Sequence, residues 1–140
     1  MIPSGREKHE RPTHRELTKR LKECLSLVTA RKWLPAEPDK LKANFDEMED
    51  LLGIETTLQE DQTQILLGAL GEITPEHYTG LRPPPRSYEQ AILGKELFAF
   101  QWKSTCFGGL QMYFKFCVKG DGENQRVFIC SVHESRDHNG

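Results

Sequence analysis

The stretch that decides the fold is residues 96–136, which read ELFAFQWKST, CFGGLQMYFKFCVKG and DGENQRVFICSVHESR in succession. Apolar residues alternate with other residues in all three runs, and aromatic and β-branched types are frequent, which is typical of strands with one buried face. The glycine-rich links at residues 107–109 and 120–122 suit hairpin turns. The pattern therefore predicts a three-stranded antiparallel meander over this part of the chain.

The chain begins with a tail and a first helix. Residues 1–12 hold two prolines and several charges but only one large apolar residue, so this tail is expected to be disordered. Thr13 and Glu16 have the spacing of a capping box, and helical periodicity continues from there to about Arg31. The expected buried face of this helix consists of Leu17, Leu21, Cys24, Leu25 and Val28.

Two further helices are predicted in the middle of the chain. After a connector at residues 32–35, the second helix begins at Asp39 and ends at Gly53, because glycine is favoured just beyond a helix. The third helix starts near Thr57 and ends at Gly71. The expected buried positions on these helices are Leu41, Phe45, Met48, Leu52, Ile65, Leu66, Ala69 and Leu70.

A proline-rich boundary then separates the helices from the sheet. Thr74 and Pro75 predict the start of a short helical turn, residues 80–87 predict a stiff extended link, and residues 88–94 predict one more helical turn. We therefore predict an α+β fold in which N-terminal helices pack on a small C-terminal antiparallel sheet within one domain. The parts of this domain, over residues 13–140, are the helical part 13–80, the link 80–87 and the sheet 96–136.

Charge is unevenly distributed along the chain. The formal net charge is −2, but residues 1–32 hold nine Lys/Arg against four Asp/Glu, whereas residues 33–75 hold two against ten. The basic part suits an anionic partner, while the acidic part would repel nucleic acid. The composition therefore excludes a strongly basic nucleic-acid binder, and any RNA site must be basic only locally.

Other features of the composition narrow the class of protein. No apolar run of about eighteen residues occurs, and the amino terminus lacks the apolar segment of a secretory signal, which predicts a cytoplasmic protein without a membrane span. The four cysteines show neither a CxxC pair nor metal-ligand spacing. We therefore expect reduced cysteines and no metal or other cofactor.

The second predicted strand indicates which face of the sheet carries function. Its larger apolar set, which is expected to face the helices, consists of Met112, Phe114, Phe116 and Val118. Tyr113 and Lys115 then lie on the opposite face, together with Cys117 and Lys119. Lys103 and His133 are expected to join them from the neighbouring strands. Such a Tyr–Lys stripe is also compatible with a face that is merely exposed to solvent.

Short motifs follow one another along the chain: EHY at residues 76–78, MYFKF at 112–116 and ICSVHE at 129–134. In this order, and after three predicted helices, they resemble motifs of the MqsR family of bacterial toxin ribonucleases, which share the RelE-like fold. Residues 52–54 and 64–70 match the middle helices of that family. The resemblance implies an enzyme that cleaves single-stranded mRNA and is neutralised by a cognate antitoxin, with the ribosome as a further candidate partner.

The resemblance covers residues 17–135 and places Tyr113 at the family's active-site tyrosine. His133 and Thr79 stand where the family has lysines. The glutamine that the family has before its first sheet strand corresponds to a position near Leu97, and Gln101 lies four residues further on.

Metal-independent RNA cleavage requires a base for the 2′-hydroxyl, an acid for the leaving 5′-oxygen and cations for the phosphate. The predicted catalytic residues are Tyr113, His133 and Lys115. The predicted RNA-binding residues are Lys103, Arg136, Tyr78, His77 and Gln101. Arg126 is a further candidate for a phosphate contact, and Trp102 fits core packing better than base stacking.

A second hypothesis is a non-catalytic protein-binding module of the same fold. In that case the last strand, residues 126–134, would lie at a sheet edge and accept a strand from a partner. The proline-rich segment is the other candidate docking site of such a module.

Overall fold

The computed structural model describes residues 11–80 and 90–135. Within these ranges the helices are α1 (His14–Thr29), α2 (Pro38–Leu52) and α3 (Gln59–Leu70). The strands are β1 (Trp33–Pro35), β2 (Phe98–Lys103), β3 (Gln111–Lys119) and β4 (Arg126–Glu134). Single 3₁₀ turns occupy Pro75–His77, Gln90–Ile92 and Gly122–Asn124. The predicted α+β fold, with helices on the N-terminal side of the main strands, is confirmed.

The sheet is mixed, and its strand order is β1-β4-β3-β2. β3 is antiparallel to both β2 and β4, as predicted, but β1 pairs in parallel with β4 through Val127–Ile129. The prediction of a connector at residues 32–35 was therefore wrong. Three residues that end in a proline are too short to show strand periodicity, and proline is tolerated at such an edge position.

β4 is not the sheet edge that the second hypothesis required. Its first half pairs with β1 on one side and β3 on the other. Beyond the end of β1, the buried side chain of Asn44 on α2 accepts a hydrogen bond of 2.9 Å from the Val132 backbone N–H. Where β1 ends, α2 therefore provides the hydrogen-bond acceptor for the Val132 backbone N–H of β4.

The three helices cover one face of the sheet and enclose the main core. The rings of Phe100 and Phe116 stack there with centroids 6.0 Å apart, and Met112 and Phe114 lie fully buried beside them. Val118 packs against the same core, so the predicted inward set of β3 is confirmed. Burying aromatic side chains of this size supplies a large part of the hydrophobic stabilisation of a small domain.

The opposite face of the sheet is partly covered. A second, smaller apolar cluster contains Cys117 and Cys130. It also contains Ile92, which ends the Gln90–Ile92 turn, and Leu97, which directly precedes β2. Cys117 therefore faces away from the helices, as expected, but it is buried rather than exposed. Only part of this face is left for polar side chains.

The helices largely follow the sequence pattern. Thr13 and Glu16 form the predicted capping box of α1, and Gly53 ends α2 in the left-handed region at φ 67°. Leu25 was predicted to be buried but is 41% exposed, while Leu27 is buried instead. Each step along a helix turns about 100°, so Leu25 lies about 100° from Cys24 within the buried stripe, whereas Leu27 lies only about 60° from it.

Several predictions fall outside the described residues. These are most of the tail, at residues 1–10, the greater part of the proline-rich link, at residues 81–89, and the position of Arg136. At the start of the described chain, the Arg11 guanidinium lies over the Tyr78 ring and donates a hydrogen bond to the Tyr78 carbonyl. No helix within the described ranges is both long enough and apolar enough to cross a bilayer.

The β2–β3 turn is held by one carboxylate, that of Glu72. Its Oε1 accepts hydrogen bonds from Trp102 Nε1 at 2.9 Å and Ser104 Oγ at 2.6 Å. Its Oε2 accepts from the backbone N–H groups of Thr105 and Cys106, both at 3.0 Å. Burial by itself raises the pKa of Glu72, but the hydrogen bonds from Ser104, Trp102 and Cys106 lower it from 4.5 to about 2.

We expect Glu72→Gln to lower the free energy of unfolding by about 1–3 kcal/mol, because an amide N–H₂ would face two backbone donors. The measurement is urea unfolding followed by circular dichroism. The folded pKa lies below 4.5, so the wild-type contribution is present above pH 4.5 and is lost as the pH falls towards 2. The difference in the free energy of unfolding between the wild type and Glu72→Gln should therefore become smaller over that pH interval.

The matched control is Glu60→Gln on α3, which removes the exposed ion pair between Glu60 and Arg31. Its urea midpoint should stay close to that of the wild type. An equal shift for both variants would contradict the special role of Glu72.

Candidate active site on the sheet face opposite the helices

Three of the predicted site residues form one row across the sheet. Gln101 on β2 lies opposite Tyr113 on β3, and Tyr113 lies opposite His133 on β4. The Tyr113 and His133 rings stack with centroids 5.3 Å apart and planes inclined by 27°. Strand register therefore brings together residues that are separated by up to 32 positions in the sequence.

A second row runs beside the first. Lys115 is opposite Ala99 on one side and Ser131 on the other. Side chains two residues apart on a strand share a face, so Lys115 and Ser131 stand next to Tyr113 and His133. Lys103 begins a third row, opposite Gln111, and it is exposed.

A β-bulge aligns these rows. The register shifts between Lys115, which is opposite Ser131, and Phe116, which is opposite Ile129, so that Cys130 is the extra residue on β4. Without the extra residue, His133 would share the face of Ile129, which is in the main core. The bulge thus turns His133 to the face that carries Tyr113.

The backbone determines which nitrogen of His133 carries the proton in the neutral ring. Nδ1 lies 2.7 Å from the Glu134 carbonyl oxygen. A carbonyl can only accept, so Nδ1 donates, and the basic lone pair of the neutral imidazole is on Nε2. His133 is 8% exposed, so only a small part of the residue is open to solvent.

Tyr113 is a hydrogen-bond donor at neutral pH. Burial, with a smaller contribution from the neighbouring Cys130, raises the pKa of Tyr113 above its ordinary value of 10.0. The phenol therefore keeps its proton, and His133 is the better candidate for a base.

His133 has a hydrogen-bond partner, but several other polar side chains of this face have none among the described residues. Within the described part of the chain, the side chains of Gln101, Tyr113, Lys115 and Ser131 make no hydrogen bond or ion pair to the protein. Ser131 is only 2% exposed, and a buried hydroxyl without a partner is costly. Such an arrangement is typical of a site whose partners arrive with a ligand.

Ser131 was missed by the sequence analysis. It lies in the quoted ICSVHE motif, but simple alternation from Ile129 places it on the core face, together with His133. Only the bulge assigns it to the site, and a bulge at a cysteine has no clear sequence signal. Gln111, opposite Lys103, was also missed.

Tyr78 and Trp102 do not belong to this site. Tyr78 is 5% exposed, packs edge-on against Phe100 at 5.8 Å and belongs to the main core. Trp102 is buried and its indole N–H is bound to Glu72, which fits the expectation of core packing. Both rings are buried, so the predicted RNA-binding role of Tyr78 cannot consist of stacking on a base.

His77 and Arg126 have structural contacts. Nδ1 of His77 accepts a hydrogen bond of 2.9 Å from the Thr74 backbone N–H and thereby caps the Pro75–His77 turn. The Arg126 guanidinium donates to the carbonyl oxygens of Glu123 and Gln125. Arg126 therefore stabilises a turn at the end of β4 that is opposite to His133, whereas His77 directly precedes Tyr78, which forms a bridge to Phe100 on β2.

No protein-family model, curated protein or solved structure matches this chain. The site must therefore be interpreted from its own geometry. Among the described residues, no group of three or more His, Cys, Asp or Glu side chains is arranged to hold a metal ion. The groups that this face does offer are an imidazole, a phenol, the ammonium groups of Lys115 and Lys103, and neutral hydrogen-bonding side chains.

We expect the Tyr113 phenol to titrate above pH 10.0, because burial disfavours its ionised form. The measurement is the ¹³Cζ chemical shift of the tyrosines as a function of pH. Cys130→Ala should move the pKa of Tyr113 down towards 10.0, since it removes a neighbouring ionisable thiol. Titration of Tyr113 below pH 10.0 would contradict its assignment as a donor.

Proposed function

We propose that this chain is a metal-independent ribonuclease of the MqsR type that cleaves single-stranded mRNA. The observation that carries the proposal is that strand register places Gln101, Tyr113 and His133 in one row, with Lys115 beside it and the two rings stacked. An imidazole, a phenol and an ammonium on one face are the groups that transfer of a phosphodiester to its own 2′-hydroxyl requires.

In the proposed reaction, Nε2 of His133 takes the proton of the 2′-hydroxyl. The 2′-oxygen forms a bond to phosphorus, and the bond from phosphorus to the 5′-oxygen breaks. Tyr113 donates its hydroxyl proton to that leaving oxygen, while Lys115 stabilises the charge on the non-bridging oxygens. The products are a 2′,3′-cyclic phosphate and a 5′-hydroxyl, and the proton on His133 returns through solvent to Tyr113.

Other groups would bind the substrate. Gln101 can hydrogen-bond a base or ribose beside the row, and the exposed Lys103 can contact a flanking phosphate. Thr79, where the resemblance has a lysine, donates its backbone N–H to Ala99 at the edge of β2. In our proposal Lys103 supplies the cation that is missing at Thr79.

The resemblance also motivates the proposed setting of this activity. We place the enzyme in the cytoplasm, where mRNA is present, under the control of a cognate antitoxin and with the ribosome as a further partner. A short neighbouring reading frame that encodes such an antitoxin would support this setting.

We expect His133→Ala and Tyr113→Phe each to lower the rate of RNA cleavage at least about tenfold, or about 1.4 kcal/mol in the barrier, because each variant removes a proton-transfer group. The assay incubates purified protein with mixed single-stranded RNA and EDTA, and maps the fragment ends. The wild type should produce discrete cuts that end in 2′,3′-cyclic phosphates.

The matched control is Lys40→Ala, an exposed residue in the first turn of α2 that has no role in the proposed reaction, and this variant should cleave like the wild type. If the free protein does not cut, the same variants are compared on translating ribosomes. Cleavage at wild-type rates by both site variants, in either assay, would refute the assigned roles.

A further inference from the structure

A groove lined mostly by charged and polar residues lies on the helix side of the molecule. It is a groove of about 640 Å³ between α1 and the residue that precedes β4. Its lining residues are Arg15, Thr18, Lys19, Lys22, Glu23, Ser26, Leu27 and Gln125. We refer to these residues as the α1 groove.

The α1 groove is locally basic in a chain whose net charge is negative. Arg15, Lys19 and Lys22 are exposed, and within the described residues no carboxylate lies within ion-pairing distance of them. The one acidic lining residue, Glu23, is paired with Arg20 at 2.8 Å. The positive charges of the three cations are therefore not neutralised by a neighbouring carboxylate, and together they attract an anion.

The cations are regularly spaced. Arg15, Lys19 and Lys22 follow one another by four and three residues, so they lie on one helix face with neighbouring Cβ atoms about 6 Å apart. Together they extend over about 10 Å along the helix axis. Such a row suits a chain that carries a negative charge at every unit.

The other lining groups favour phosphate over a protein surface. Thr18, Ser26 and Gln125 supply hydroxyl and amide donors, which together with Arg and Lys are the usual phosphate contacts of nucleic-acid-binding proteins. Leu27 is the one apolar lining residue, and it is buried. No aromatic residue is among the lining residues, so the groove has no ring on which a base could stack.

We propose that the α1 groove binds the sugar–phosphate backbone of single-stranded RNA without regard to base sequence. The groove is separate from the proposed cleavage site, because α1 packs on the core face of the sheet and Gln125 precedes β4, whereas His133 lies near the other end of that strand. Binding there does not require the cleavage chemistry. If both sites operate, the groove holds RNA while the opposite face cuts it.

The test measures the binding of a fluorescently labelled oligouridylate by anisotropy across a salt series. The protein carries Tyr113→Phe and His133→Ala, so that the RNA stays intact. We expect the three groove cations to contribute about −2 to the slope of log K against log salt. Adding Arg15→Gln, Lys19→Gln and Lys22→Gln should therefore make that slope less steep by about 2 and weaken binding at least about tenfold.

The matched control replaces Lys40 and Lys42 on α2 by glutamine, which should leave the affinity and the slope unchanged. Unaltered RNA binding by the triple groove variant would overturn the inference. So would polyglutamate that binds as tightly as RNA and is lost in the same variant, because the groove would then be a surface for an acidic protein.

The ribonuclease proposal and the groove proposal can be refuted independently of each other. In the otherwise wild-type protein, the triple groove variant should raise KM for RNA cleavage and leave kcat unchanged. Groove-dependent binding without any cleavage would refute the ribonuclease alone. Cleavage with an unchanged KM in the triple variant would refute the groove alone.

Discussion

The candidate site depends on one extra residue in β4. A regular strand has a period of two, so a strand that buries Val127 and Ile129 would also bury Ser131 and His133. The bulge at Cys130 changes the parity halfway along, so that Val132 returns to the core while Ser131 and His133 face the other way. One strand thus contributes to the main core along its length and still supplies two polar side chains to the opposite face. The stacking of Tyr113 on His133 is a consequence of that change of parity.

Two polar clusters in this small domain differ in how far their hydrogen-bonding groups are satisfied. Around Glu72, both carboxylate oxygens accept hydrogen bonds, and the result is a rigid turn between β2 and β3 with no unused donor aimed at it. Around Tyr113, the phenol, the Lys115 ammonium and the Ser131 hydroxyl have no partner within the described residues. Buried polar groups in proteins are normally satisfied. The hydrogen bonds of the first cluster stabilise a turn, whereas the polar groups of the second are the ones to which the proposed function assigns a ligand.

Sequence patterns predicted the parts of the fold that are long and periodic. The capping box of α1, the glycine after α2 and the apolar parity of β3 are local signals, and the structure agrees with each of them. β1 escaped detection because three residues cannot show a period and because its partner is distant in sequence. The pairing of Tyr113 with His133 follows from a register that depends on the bulge. The burial of Tyr78 was missed because a tyrosine after a proline turn gives no indication of whether its ring lies in the core.

The identity of residue 133 affects the chemistry that this face can perform. A lysine there, as the resemblance would have it, is cationic at neutral pH and can act as an acid or as an electrostatic clamp, but not as a base. A histidine whose Nδ1–H is bound to the Glu134 carbonyl has its basic lone pair on Nε2 and can accept a proton at that pH. The raised pKa of Tyr113 leaves the phenol as the partner that donates. In the proposed reaction, acid and base are thereby divided between two stacked rings, and the positive charge is supplied by Lys115 and Lys103. A histidine at position 133 therefore gives the proposed site a base that a lysine there could not supply.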